Sequence, residues 1–306
     1  MEFGRIDETE VKFVDHGLPE DGRITDKTLP GKPAAGGCKF HVGCAKWGRK
    51  EWKKTLYPKG TRESDFLQEY ARHFDHIEMN ACFYSLPSPY NMRQWKEQVD
   101  ASGNTDFIFV PKMSRSISHI KRLVACKALV DRFMEAVREF DSSLGPVFLG
   151  VSDNFGPRYY GVLKDFLEND LPKDHRFFLE VRHPGWFSDE IDRGILFDLL
   201  AKHQVGTVMS DASGRRDCLH MELPTPELFV RFVGNGGMNR DSDRERIDSW
   251  VDRIAKLVDQ GLEKVYFFVH QHDEQDTPVL ASYVISQFNQ RLGAGLREIK
   301  ILPTVS

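Results

Sequence analysis

Short apolar segments recur along the chain from residue 39 onward, and amphipathic segments separate most of them. The candidate strands are 39–44, 76–80, 107–111, 146–151, 177–182, 206–210, 229–233 and 265–270. The segments with apolar residues at helical spacing are 64–73, 89–99, 126–140, 158–169, 189–203, 243–259 and 278–291. Short runs rich in Val, Ile and Phe are typical of parallel strands that are covered on both faces. Eight strands alternating with helices predict an α/β fold, a single (β/α)8 TIM-type barrel.

The connection between the sixth and seventh candidate strands departs from this alternation. Residues 211–227 are rich in turn-forming residues, so the barrel is expected to be irregular there. A doubly wound open sheet is the alternative fold. No GxGxxG motif follows the first strand, which counts against that alternative.

The first 37 residues differ from the rest of the chain. They are polar and rich in Gly, Pro and charge, and they end in PAAGG at 33–37. We expect an N-terminal extension with little structure of its own, followed by one barrel domain over 38–306. The N-terminus has no apolar segment of signal-peptide type, and no run of apolar residues is long enough to span a membrane. A cytoplasmic protein without membrane association is therefore expected.

Charge and cysteine usage exclude several classes of function. Lys plus Arg number 42 and Asp plus Glu 46, for a net charge of −4. This balance offers no overall attraction to nucleic acid, so undamaged duplex DNA is not an expected partner. The five cysteines form no CxxC pair, which argues against a disulfide framework, a zinc ribbon or an iron–sulfur site.

The stretch FFLEVRHPGWF at 177–187 begins as a buried strand and ends as a candidate site. Glu180 and Arg182 are two residues apart, so on a strand they point to the same side. Two opposite charges on one face of a buried strand are costly unless they meet each other or a ligand. His183 and Pro184 then end the strand, because proline cannot continue the hydrogen-bonded ladder.

Polar side chains gather at the carboxyl ends of the candidate strands, where barrels of this type carry their active sites. The proposed catalytic residues are Glu78, Lys112, Glu180 and Asp211, and the proposed substrate contacts are Trp47, Asn80, Tyr84, His119, Arg182, His183, Arg231 and His270. Each also has a structural interpretation. The charged pairs can form a buried polar network, Trp47 can pack in the core, and His183 can hold a turn.

Three chemistries fit these residues. Carboxylates and histidines can bind a divalent metal, but cations at neighbouring strand ends would compete for the same charge. A carboxylate together with Lys112 can perform acid–base catalysis on an anionic substrate without a metal. The cations can also bind a phosphate or carboxylate without any reaction. We favour the metal-free enzyme with a small anionic ligand, predict no metal or cofactor, and keep a divalent metal as the alternative.

Several motifs together resemble a known family, the YecE-like proteins, also called domain of unknown function 72. They are GCAKWGRKEW at 43–52, IEMNACFYSLPSP at 77–89, SISHIKRL at 116–123, EVRHPGWF at 180–187, VMSDASGRRDCLHM at 208–221, FVRFVGNG at 229–236 and YFFVHQHDE at 266–274. The resemblance implies a TIM-type barrel but no established activity. The family's fold is similar to that of endonuclease IV and of xylose-isomerase-type barrels, so a metal-dependent phosphodiesterase is an alternative function.

One position departs from the family pattern. Where members usually carry Gln after the fourth strand, in a stretch like FQLPPSF, this chain reads LGVSDNF with Gly150 at that position. The loss of the amide puts in doubt any substrate contact made by that strand, unless Asp153 replaces it.

Overall fold

The computed structural model describes residues 3–302, apart from the side chain of Lys54, and contains one sheet of eight parallel strands. The strands are β1 (Lys39–Cys44), β2 (His76–Met79), β3 (Ile108–Pro111), β4 (Val147–Gly150), β5 (Phe177–Glu180), β6 (Gly206–Asp211), β7 (Glu227–Gly234) and β8 (Lys264–Gln271). Their order in the sheet is β3-β2-β1-β8-β7-β6-β5-β4. All eight coincide with predicted strands.

The two outer strands of this order, β3 and β4, meet and nearly close the sheet. The amide of Gly145 donates to the carbonyl of Phe109 at 2.8 Å, and the amide of Met113 donates to the carbonyl of Phe148 at 2.8 Å. Single parallel bridges join Phe109 to Leu144 and Lys112 to Phe148. The predicted TIM-type barrel is therefore confirmed.

The α-helices are α1 (Arg23–Thr28), α2 (Phe66–His73), α3 (Ala81–Tyr84), α4 (Pro89–Asp100), α5 (Lys127–Val137), α6 (Tyr160–Asp165), α7 (Glu190–Lys202), α8 (Arg240–Gln260) and α9 (Thr277–Leu292). Shorter helical turns lie at Val11–Phe13, Lys50–Lys54, Glu63–Asp65, Ser116–Ile120, Arg138–Ser143, Pro157–Tyr159, Phe166–Asp170, Pro184–Trp186, Ser213–Cys218 and Gly237–Asn239. The seven predicted helices correspond to α2 and α4–α9. Helices α1 and α3 were not predicted, because one or two turns are too short to show a helical spacing of apolar residues.

The β6–β7 connection carries no α-helix within the described chain, as the turn-rich sequence predicts, and α1 lies beside it instead. The hydroxyl of Thr25 donates to the carbonyl of Met221 at 2.6 Å and accepts from the amide of Leu223 at 2.8 Å. The amide of Ile24 donates to Glu222 at 2.9 Å. The N-terminal segment therefore supplies a helix at the position where the barrel's own crossover lacks one.

The interior of the barrel is a closed apolar cluster, separate from the larger core between strands and helices. It consists of Val110, Phe148, Phe178, Val208, Phe229, Tyr266 and Phe268, all buried. Neighbouring rings pack closely; the centroids of Phe178 and Phe229, for example, are 5.2 Å apart. This cluster fills the barrel and packs beneath the side chains at the carboxyl ends of the strands.

No helix in the range 3–302 is both long and apolar enough to cross a bilayer.

Candidate functional site

A ring of polar residues lies directly above the apolar cluster. Side chains on a strand alternate between its two faces, so the residue two positions after an inward-facing residue also faces inward. Two positions after the apolar cluster members of β3 to β8 come Lys112, Gly150, Glu180, Ser210, Arg231 and His270, in that order. Glu78 joins them from β2, where it is paired in register with Val110. The strands thus present one polar layer at the carboxyl end of the barrel.

Arg231 is at the centre of this layer. Its Nε and Nη2 donate to the two oxygens of Glu78 at 2.9 Å each, and its Nη1 donates to Glu180 at 3.0 Å. All three residues are at most 1% exposed. A buried guanidinium whose three nitrogens all donate to carboxylates is tightly held, since these are charge-assisted hydrogen bonds.

The two glutamates are held in the ionised form. Burial opposes ionisation of Glu78, but the charge of Arg231 outweighs it and holds the pKa of Glu78 well below its usual range. Burial also opposes ionisation of Glu180, whose pKa is nevertheless lowered, chiefly by Arg182 and then by Arg231. Further hydrogen bonds come from Ser210 to Glu180 and, at 2.8 Å, from Asn80 to Glu78.

Arg182 connects this layer to the loops above it. Its Nη2 lies 2.9 Å from both oxygens of Glu180, and its Nη1 is 3.9 Å from Asp153. Its Nε is buried and, among residues 3–302, has no hydrogen-bond partner. The ring of Phe3, from the N-terminal segment, lies over the guanidinium at 4.1 Å. Arg182 therefore keeps donor capacity on the side away from Glu180.

Lys112 differs from the other cations of the layer. Its side chain is 8% exposed, and its Nζ lies 4.5 Å from the ring centroid of Phe83 and 5.5 Å from that of Phe148. Within the described part of the chain, no carboxylate lies within ion-pair distance of its Nζ. Burial, reinforced by the charge of Arg231, lowers the pKa of Lys112 to about 7. This amine therefore releases its proton far more readily than an ordinary lysine does.

These groups line a cavity of about 410 Å³ at the carboxyl face of the barrel. Its walls include, of the predicted residues, Asn80, Tyr84, Lys112, His119, Arg182, Arg231 and His270. His119 stands edge-on to Phe83 at 5.2 Å, and burial lowers its pKa. His270 approaches Glu78 with its Nε2 at 3.0 Å. Glu78 and Glu180 lie beneath the cavity, where both pair with Arg231 of its wall.

Asp211 does not line this cavity, contrary to the position expected from the sequence. It lies one residue after the inward-facing Ser210, so it points out of the barrel toward α8. There it accepts hydrogen bonds from Arg246 at 2.7 Å, from the indole of Trp250 at 2.7 Å and from Arg216. It is 1% exposed. Asp211 therefore joins β6 to α8 and has no access to the cavity.

Two further predicted residues lie away from the cavity walls. The Nδ1 of His183 accepts a hydrogen bond from the amide of Gly185 at 3.0 Å and so stabilises the turn Pro184–Trp186. Trp47 packs against Trp95, with ring centroids 5.9 Å apart. His183 therefore holds a turn and Trp47 makes a packing contact, as their structural interpretations have it.

Some lining residues were absent from the predicted site. They are Phe3, Ala45, Lys46, Phe83, Gly150, Val151 and Glu274. The Nζ of Lys46 is 3.7 Å from the buried carboxylate of Glu274. Glu274 has a positive φ of 62°, and its loop gives no periodic signal by which sequence could place it. Gly150 could have been found by counting two residues from Phe148.

Among the described residues, no group of three or more His, Cys, Asp or Glu side chains is arranged to hold a metal ion. Arg231 lies between Glu78 and Glu180, where a metal shared by these two carboxylates would have to lie. Both carboxylates are thus already paired with a cation of the chain itself.

A second cavity, of about 730 Å³, lies at the opposite end of the barrel, beside Phe177 and Val205. Its cations are largely occupied: Arg176 donates to the carbonyl of Gln204 at 3.1 Å, and Lys173 donates to that of Leu167. It is the larger cavity, but in barrels of this type the amino ends of the strands serve stability. The smaller cavity, with its convergent buried charges, is therefore the candidate site.

Comparison with known proteins agrees with this architecture. The chain is 27% identical over 259 residues to the UPF0759 protein YecE of Escherichia coli K12, covering 79% of this chain and 89% of the relative. Among solved structures, a DUF72 family protein of Thermotoga maritima has a TM-score of 0.63 at 18% identity, covering 83% of this chain and 99% of its own. One from Enterococcus faecalis has a TM-score of 0.61 at 14% identity, covering 85% and 98%. The model of the family described as protein of unknown function DUF72 matches residues 41–300, so the chain belongs to that family.

Proposed function

We propose that the protein is an enzyme that acts on a small substrate bearing a phosphate or carboxylate, by metal-free acid–base chemistry at the carboxyl face of the barrel. The observation that carries this proposal is the amine of Lys112, which lines the cavity and has its pKa lowered by burial to about 7. A group whose pKa lies near the working pH can both take and release a proton during turnover.

In this proposal the glutamates support the site and Lys112 moves the proton. Glu78 and Glu180 are ionised and already accept several charge-assisted hydrogen bonds, which makes them weak bases. Their part is to hold Arg231 and Arg182 in place. Arg231 has all three nitrogens engaged, so we assign the anion instead to Arg182, Lys46 and His119, which line the same cavity.

Binding and turnover test this function together. Inorganic phosphate, phosphorylated sugars and small keto acids are titrated calorimetrically into the protein in the presence of a chelator, and consumption of each is followed. We expect Arg182→Met to weaken binding about tenfold, since a hydrogen bond to a charged group is lost. Arg158→Met, at an exposed arginine that does not line the cavity, is the matched control.

Lys112→Met separates chemistry from binding. We expect it to abolish turnover while the anion still binds, and Lys50→Met, on an exposed lysine paired with Glu63 at 2.8 Å, to change neither. Turnover that persists in Lys112→Met, or that requires a divalent metal, would overturn the proposal. Binding without turnover of any compound would favour a non-catalytic anion-binding protein. Undamaged duplex DNA remains an unexpected partner.

A further inference from the structure

Lys112 is placed to act as a nucleophile as well as a proton carrier. Its side chain is buried between the rings of Phe83 and Phe148, yet it lines the cavity and pairs with no carboxylate of the described chain. A lysine that is desolvated in an apolar pocket or set beside another cation is the form in which the amine attacks carbonyl compounds. Both conditions are met here, because the amine is buried beside the two rings and the charges of Arg231 and Arg182 lie close to it.

Gly150 keeps the approach to this amine open. A Cβ at position 150 would lie 2.7 Å from Oε2 of Glu180 and 3.7 Å from Nζ of Lys112. Any side chain there would displace the carboxylate, which Arg182 and Ser210 hold in place, or would stand against the amine. The glycine therefore leaves the cavity in contact with Nζ from the β4 side.

From this geometry we infer that Lys112 forms an imine with the carbonyl carbon of an anionic aldehyde or ketone, whose phosphate or carboxylate is bound by Arg182 and Lys46. This inference rests on the proposed function and specifies its substrate class. The Nζ lone pair forms the N–C bond and the carbonyl C–O bond breaks. The oxygen leaves as water with both amine hydrogens, so that no oxidant or reductant is required.

Reductive trapping tests this step on the intact protein. The full chain is incubated with pyruvate or dihydroxyacetone phosphate and sodium cyanoborohydride, and the modified peptide is identified by mass spectrometry. We expect one adduct per chain, on Lys112, whose yield rises as pH rises through about 7, where the pKa of this amine lies. Uncharged acetone and dihydroxyacetone should trap at least about tenfold less, because they lack the anion that Arg182 binds.

Three variants complete the test. Lys112→Arg keeps a long cationic side chain but removes the amine, so it should abolish the adduct, and circular dichroism and thermal melting check that it folds. Arg182→Met should reduce trapping about tenfold, and Lys50→Met should leave it unchanged. Adducts spread over exposed lysines, or no adduct on Lys112 with either anionic probe, would overturn the imine. If turnover still depended on Lys112 in that case, the proposed acid–base function would stand without the imine.

Discussion

Arg231 of β7 binds both carboxylate oxygens of Glu78 of β2 at 2.9 Å, across the end of the barrel. In the sheet, β1 and β8 lie between these two strands. The pair therefore joins parts of the barrel that share no backbone hydrogen bonds. Both side chains are at most 1% exposed. Removing one partner of such a pair leaves the other charge buried without compensation.

Arg231→Met should accordingly destabilise the protein by about 3–5 kcal/mol, since Glu78 and Glu180 lose a shared cation. Unfolding in urea at about pH 7 measures this change. The matched control is Arg240→Met, whose arginine is exposed and pairs with Asp276 at the surface. We expect the control to cost at most about 1 kcal/mol. Equal losses in the two variants would show that the buried pair has no special role.

The decrease in unfolding free energy at acid pH should depend on the same pair. Glu78 and Glu180 have folded-state pKa values below the ordinary value of 4.5, so their contribution is present above that pH and is lost as pH falls through the folded pKa. In Arg231→Met, burial without this cation favours the protonated carboxyl. We expect the free-energy difference between wild type and variant to shrink as pH falls below about 4.5, measured by urea unfolding. A difference independent of pH would contradict the assignment.

Asp211→Asn should affect stability rather than the chemistry of the cavity. The substitution removes one of the two carboxylates that pair with Arg246, whose guanidinium is 2% exposed, and leaves only Asp243, 3.3 Å away. We expect a loss of about 3 kcal/mol in unfolding free energy with unchanged anion binding per folded molecule. Ser210→Ala, one residue earlier and facing inward, should instead alter anion binding through Glu180. Weaker anion binding in Asp211→Asn, with unchanged binding in Ser210→Ala, would show that Asp211 belongs to the site.

Gly150→Ala tests the close approach of Glu180 to β4. The new Cβ would lie 2.7 Å from Oε2 of Glu180, and overpacking of this kind costs about 1–3 kcal/mol. We expect reduced stability and slower reaction of Lys112 with cyanate, followed by mass spectrometry. Gly161→Ala is the control, because at this exposed position of α6 the new Cβ would meet no atom of the described residues within 4 Å, apart from its chain neighbours and the backbone of its own helix. There alanine should stabilise by about 0.5–1 kcal/mol.

Phe3→Ala tests whether the N-terminal segment covers the cavity. The ring lies over Arg182 at 4.1 Å and over Arg215 at 5.3 Å, a contact worth about 0.5–2 kcal/mol. We expect faster modification of Lys112 by cyanate and a slightly lower melting temperature. Phe13→Ala, at a phenylalanine that is 80% exposed, should change neither. An unchanged rate in Phe3→Ala would mean that the segment does not limit access.

The strands and most helices follow from local patterns. Short apolar runs produced all eight strands, and helical spacing located α2 and α4–α9, because each of these elements buries a face that its own sequence defines. The same alternation carries a large part of the site: counting two residues on from Phe148, Phe178, Phe229 or Phe268 reaches the polar layer. Glu78, Lys112, Glu180, Arg182 and Arg231 were recognised because each stands at or just beyond the end of a predicted strand.

The tertiary structure decided which charges meet. Sequence showed Asp211 at a strand end but not the face it occupies, since the strand's start and the position of α8 determine whether residue 210 or 211 points inward. It likewise could not show that Arg231 binds both glutamates and that Lys112 has no carboxylate partner among residues 3–302, because the contacts of Arg231 join strands separated by as many as 153 residues in the chain. The polar composition of residues 1–37 predicted only an N-terminal extension with little structure of its own. Its packing beside the β6–β7 connection and the position of Phe3 over Arg182 depend on contacts with residues far along the chain, which no local pattern records.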